Sequence, residues 1–138
     1  MTKQFWINLP VKDMKKAIEF FTKLGFAINT RHGNSDQAQL IIGDNNATVM
    51  LFPDATFGNF TRNEIANTKL ATEVLLSIDA ESREEVDEMA KKVLNAGGTI
   101  FAEPGENQGW MYGFGFADLD GHRWNMLYMD MSKMPKEE

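Results

Sequence analysis

The chain has 138 residues, a net charge of −6 and no cysteine. That length suits one domain with a sizeable core. The acidity excludes the basic footprint of a nucleic-acid binder or of a protein drawn to anionic membranes, and the lack of cysteine excludes disulfides, thiol catalysis and thiolate metal sites.

Phe5, Ile7, Leu9 and Val11 alternate with Trp6, Asn8 and Pro10, which predicts a half-buried strand. Met1 to Phe5 leads into it without the apolar stretch of a signal peptide, and no apolar run is long enough to span a bilayer, so a cytoplasmic protein is expected. Asp13 stands where a helix N-cap belongs, Ala17, Ile18, Phe21 and Leu24 follow at helical spacing, and Gly25 ends the helix. Three short strands are predicted next, over 26–30, 39–42 and 47–52, separated by turns over 31–36 and 43–46.

Periodicity is lost between Pro53 and Ala71, apart from a short helical turn over 61–65. A connection this long inside a domain is either functional, here a cover for a cavity mouth, or a mobile linker.

A second half then repeats the first. Val74, Leu76 and Ile78 make the apolar row of a strand over 73–79, and Ser82 with Glu85 has the spacing of a capping box. Val86, Met89, Ala90, Val93 and Leu94 form a buried helical stripe that Gly97-Gly98 stops. Strands follow over 99–103, 110–117 and 123–129, with turns at Pro104–Asn107 and Asp120-Gly121. The charged tail over 131–138 is expected to fray. A strand–helix–three-strand unit cannot close a core by itself, so two copies must share a sheet or pair across a dimer.

This layout, with Asn8-Leu9-Pro10-Val11-Lys12-Asp13 and Asp118-Leu119-Asp120-Gly121-His122, resembles the vicinal oxygen chelate superfamily. That group includes glyoxalase I, extradiol dioxygenases, fosfomycin-resistance enzymes and bleomycin-binding proteins. The resemblance implies an α+β fold: two βαβββ modules forming a curved mixed sheet with helices on its outer face. It implies one such domain over 1–138, with modules over about 4–53 and 72–130 joined by a segment over about 54–71, and it implies a homodimer.

In metal-using members, four strand positions supply His, Glu or Gln to one divalent ion. The shared landmarks place those positions here at Trp6, Met50, Glu73 and Asn125. Alternation puts Trp6, Glu73 and Asn125 opposite the apolar rows of their strands, on the cavity side. An indole and a thioether do not ligate such ions, Asn125 offers a neutral amide oxygen, and one carboxylate is too little. The two histidines, His32 and His122, sit in turns and not at ligand positions. The expectation is therefore a protein without the family's metal. It would bind a small, partly apolar molecule in a cavity lined by Trp6, Asn8, Met50, Glu73 and Asn125.

Glu73 carries two readings. Buried beside Trp6 it would be a general base; solvated, it would pair with a nearby cation. Trp110, Tyr112, Phe114 and Phe116 share one face of a strand and Gly113 and Gly115 the other. For Trp110 and Tyr112, ligand wall and core packing stay equally open; Phe114 and Phe116 read as core. His122 beside Asp118 and Asp120 reads first as turn chemistry, and Arg123 as a partner for a surface acid or an anionic ligand. The competing functional readings are a metal-dependent lyase or dioxygenase of the family, metal-free acid–base catalysis by Glu73, and a partner-binding protein.

Overall fold

The computed structural model describes residues 1–30, 36–45 and 47–135, so His32 and Arg31 lie outside the described residues. The chain divides into two compact units, Met1–Asn67 and Thr68–Glu138.

In the first unit, β1 (Ile7–Val11), α1 (Met14–Leu24), β2 (Ala27–Asn29), β3 (Ala38–Ile42) and β4 (Ala47–Pro53) form a four-stranded sheet in the order β1-β4-β3-β2. β1 runs parallel to β4, and the other pairings are antiparallel. The core is the alternate row Leu9, Val11, Ala38, Leu40, Val49 and Leu51 packed with Met14, Ala17, Phe20, Phe21 and Leu24. The α1 stripe is thus shifted from the expected one: Phe20 is buried and Ile18 sits half-buried at its edge. Asp13 caps α1 by accepting from the Lys16 N–H at 3.1 Å. Gly25, at φ 97°, ends it in the left-handed conformation that glycine adopts freely.

The segment after β4 corrects the sequence reading. Its helix, α2, spans Asp54–Thr61 and not 61–65. Pro53 is preset at φ −55° just before it, and Asp54 puts a negative charge in its first turn. It has no buried residue, which is why no apolar period announces it. Phe60 packs edge-on against Phe52 of β4, with ring centroids 5.1 Å apart.

The second unit repeats the topology with β5 (Leu75–Ala80), α3 (Arg83–Asn95), β6 (Thr99–Asn107), β7 (Met111–Ala117) and β8 (Arg123–Met129), in the order β5-β8-β7-β6. Its core joins Leu76, Ala80, Phe114, Phe116, Trp124 and Met126 to Val86, Ala90 and Val93 of α3. Leu94, expected in that stripe, is 57% exposed. The Ser82 hydroxyl accepts from the Glu85 N–H at 3.1 Å, as the capping spacing requires.

The turn expected at Pro104–Asn107 is instead the second half of β6. Pro104 is tolerated because β6 is an edge strand, and register shifts between Ile100 and Gly105 absorb the irregularity. The chain reverses one step later, at Gln108 and Gly109, both with positive φ. Among the described residues no helix is long and apolar enough to cross a membrane.

Candidate functional site

Each sheet buries one face against its helix and leaves the other open. In the first unit Trp6, Asn8, Thr48, Met50 and Phe52 alternate with the buried row, and Asn8 stands opposite Met50 in the β1–β4 register. There a cavity of about 710 Å³ is lined by Trp6, Met50 and Phe52, with Gln39, Thr48 and Lys3 as polar groups. Trp6 is 51% exposed, so a large apolar surface waits uncovered.

A short amide chain crosses this face. The Asn29 amide donates to Gln39 Oε1 at 3.5 Å, and Gln39 Nε2 donates to Thr48 Oγ1 at 3.2 Å. The Gln39 carboxamide is therefore held in one orientation, with one N–H and one oxygen lone pair to spare. Sequence reasoning missed Gln39 and Phe52. The signal was present, since Gln39 lies between buried Ala38 and Leu40, and strict alternation sends it to the open face.

The second unit differs. Asn125 is on the open face of β8, opposite Ser77 and Gly115. It lines a pocket of about 200 Å³ with Leu75, Phe101, Gly113, Gly115 and Leu127. The Arg123 guanidinium stacks over the Phe101 ring, 4.3 Å from its centroid. Glu73 lies two residues before β5 and is exposed. Its carboxylate lacks the burial that a desolvated general base requires.

Tyr112 faces the helix side, where its hydroxyl donates to Asp87 of α3 at 2.6 Å and Arg83 stacks 5.2 Å from its ring centroid. That hydrogen bond to a carboxylate raises the Tyr112 pKa above its ordinary value. Trp110 precedes β7, half-buried, and its carbonyl accepts from the Asp130 N–H at 2.7 Å. Neither residue is among those lining the pocket of about 200 Å³.

His122 belongs to a turn built on Asp118, whose Oδ1 accepts from the N–H groups of Asp120 and His122, both at 3.0 Å. Its Oδ2 accepts from the Trp124 indole at 3.1 Å. Burial raises the Asp118 pKa; the His122 charge, the Trp124 hydrogen bond and the His122 N–H pull it back.

Two mixed sheets of the same order, each open on one face, make two modules of one topology. The chain belongs to the Glyoxalase/Bleomycin resistance protein/Dioxygenase superfamily, whose family model matches residues 3–126. It is similar to the hypothetical protein SA1046 from S. aureus at 36% identity, covering 93% of this chain and 94% of that one, with a TM-score of 0.84. A glyoxalase/bleomycin resistance protein/dioxygenase family enzyme from Burkholderia phytofirmans shares the fold at 16% identity and a TM-score of 0.75, covering 90% of this chain and 96% of that one. The fosfomycin resistance protein FosX from Listeria monocytogenes does so at 17% and 0.66, covering 96% and 97%. No curated protein matches the chain.

The family's divalent ion can be tested against these residues. Trp6 and Met50 bring no hard donor, Asn125 brings a neutral amide, and Glu73 is a single exposed carboxylate. That set does not fit a transition ion. Among the described residues no group of three or more His, Cys, Asp or Glu is arranged to hold one.

Proposed function

We propose that this protein binds a small, partly apolar molecule in the open-face cavity of its first unit, without the family's metal. Trp6 and Met50 supply apolar walls, Asn8 flanks them, and Gln39 fixes the ligand's orientation. The carrying observation is the cavity itself. Its volume of about 710 Å³ lies within the roughly 300–1,000 Å³ usual for small-molecule sites, and its lining mixes apolar walls with polar groups, of which Gln39 and Thr48 are held by a hydrogen bond. In the second unit Asn125, with Glu73 near the start of β5, is proposed as a ligand-facing residue of that unit's own open sheet face.

Trp110 and Tyr112 are not part of the proposal: neither is among the residues lining the pocket of about 200 Å³, and the Tyr112 hydroxyl is engaged by Asp87. Catalysis by Glu73 is not favoured, since the residue is exposed. The family resemblance supports a homodimer in the cytoplasm.

The test is titration with anilinonaphthalene sulfonate, a partly apolar aromatic anion, read by its own emission and by quenching of tryptophan. Saturable, stoichiometric binding that Trp6→Ala weakens is expected. Binding indifferent to Trp6→Ala would remove the cavity from consideration. Calorimetric titration with zinc, nickel and manganese separately checks the metal; tight stoichiometric uptake of any of them would overturn the metal-free reading.

A further inference from the structure

The second unit carries a pocket that the cavity of the first does not explain. Gly113 and Gly115 bring no side chain of their own to it, and Leu127 packs close over Gly113. The Phe101 ring lies so close over Gly115 that a Cβ there would collide with it. Arg123 holds that ring from its own position 4.3 Å away, and its fixed positive charge disfavours a cation nearby. Leu75 and Leu127 complete apolar walls.

Against this apolar setting stand two unmet polar atoms, Arg123 Nε behind the Phe101 ring and Asn125 Oδ1, and of the two residues only Asn125 lines the pocket. Asn125 Oδ1 is buried and has no hydrogen-bond partner, although its residue lines the pocket. Buried acceptors are almost always satisfied, and one left alone calls for a water or a ligand. An apolar cavity of about 150 Å³ is enough to take benzene. The volume here, about 200 Å³, takes one flat ring system somewhat larger.

We propose that the second unit binds a flat, neutral, apolar molecule through one N–H or O–H donor directed at Asn125 Oδ1. The carboxamide that stands where the family places a metal ligand would thus read a hydrogen-bond donor instead of a cation. This site is carried by residues of the second unit alone, so it goes beyond the first-unit reading.

The probes are indole and benzofuran, which have the same shape but differ by the N–H. Titrations of isotope-labelled protein are followed by NMR. Indole is expected to shift the Gly113 and Gly115 backbone amides and the Asn125 side-chain amide saturably. Benzofuran should bind about tenfold more weakly or worse, the loss of one hydrogen bond of about 1.4 kcal/mol. Asn125→Leu should bring the two ligands to equal affinity. If that variant does not fold, the indole-to-benzofuran ratio on the unaltered protein still decides. Equal binding of both probes, shifts confined to other residues, or no binding of indole up to its solubility limit would overturn the proposal; the last result would assign Asn125 Oδ1 to a water. The Trp6 indole resonance in the same spectra reports the first-unit cavity independently, so failure of one site is distinguishable from failure of the other.

Discussion

Replacing Asp118 should show how much the β7–β8 turn depends on one carboxylate. Asp118 is only 6% exposed, and it satisfies two backbone N–H groups and the indole of Trp124. In Asp118→Ala the Asp120 and His122 N–H groups sit in a half-buried turn and can turn to water. The Trp124 indole is fully buried and cannot, so it bears the full penalty of an unsatisfied donor, about 1–3 kcal/mol. With the cavity and the two weakened turn contacts, the loss should be about 3–4 kcal/mol. Asp118→Asn keeps an oxygen for the two backbone groups but sets an amide N–H against the indole N–H. It also avoids desolvating a charge, so it should cost only about 1 kcal/mol.

Urea unfolding followed by circular dichroism is the assay. With a slope of about 2 kcal/mol per molar, the alanine variant should unfold about 1.5–2 M earlier.

The pH dependence carries a second check. Burial raises the folded-state pKa of Asp118 above its ordinary 3.8. A group so shifted adds stability below its unfolded pKa and loses it as pH rises through the folded one. The stability gap between wild type and Asp118→Asn should therefore be widest in acid and narrow above that raised pKa. An alanine variant as stable as wild type, or an asparagine variant as damaged as alanine, would refute this account.

Trp6→Ala should weaken anilinonaphthalene sulfonate binding about 10- to 70-fold. Covering roughly 60–100 Å² of its exposed indole at about 25 cal/mol per Å² is worth about 1.5–2.5 kcal/mol, and titration of the fluorescence checks it. Tyr112 should ionise late in an ultraviolet titration. Its hydrogen bond to Asp87 favours the neutral phenol, so the stability this adds is held below the ordinary tyrosine pKa of 10.0 and lost as pH rises through the raised value. Asp87→Asn should advance that titration. Gly113→Ala should destabilise more than Gly115→Ala, within the roughly 1–3 kcal/mol usual for overpacking, as thermal melts would show. At Gly113 the new Cβ meets the Met126 carbonyl of the neighbouring strand, whereas at Gly115 it meets the Phe101 ring, which can swing away.

The caps, both α1 and α3, and the order of the eight strands were legible because Asp13, Gly25, Ser82 and Asp120-Gly121 are local signals that tertiary contacts did not override. The α2 helix was not legible, because a helix without a buried side leaves no periodic trace. Pro104 misled for a different reason: proline marks a turn in isolation but is harmless on a sheet edge. At the candidate site, alternation put Trp6, Glu73 and Asn125 on the open side, and the family landmarks added Met50; Glu73 lies before its strand begins, so parity does not reach it. The face of Tyr112 followed from the same parity, since it shares the row of buried Phe114 and Phe116. What parity could not supply was the Tyr112 bond to Asp87, a contact between elements 25 residues apart.

The two units show why one topology does not dictate one chemistry. Each places its fourth strand between the first and third, and alternation along that strand presents one residue near its middle to the open side: Met50 in β4 and Asn125 in β8. What surrounds those positions depends on the next strand along. In β3, Gln39 stands beside Met50 and makes a polar chain with Asn29 and Thr48. In β7, Gly115 stands beside Asn125, and its missing side chain admits Phe101 from β6. The first arrangement widens the face into a cavity with an oriented amide; the second narrows it to a ring-sized pocket around a lone acceptor. Backbone register thus chooses which residue is presented, and the neighbour at the same level decides what it can bind.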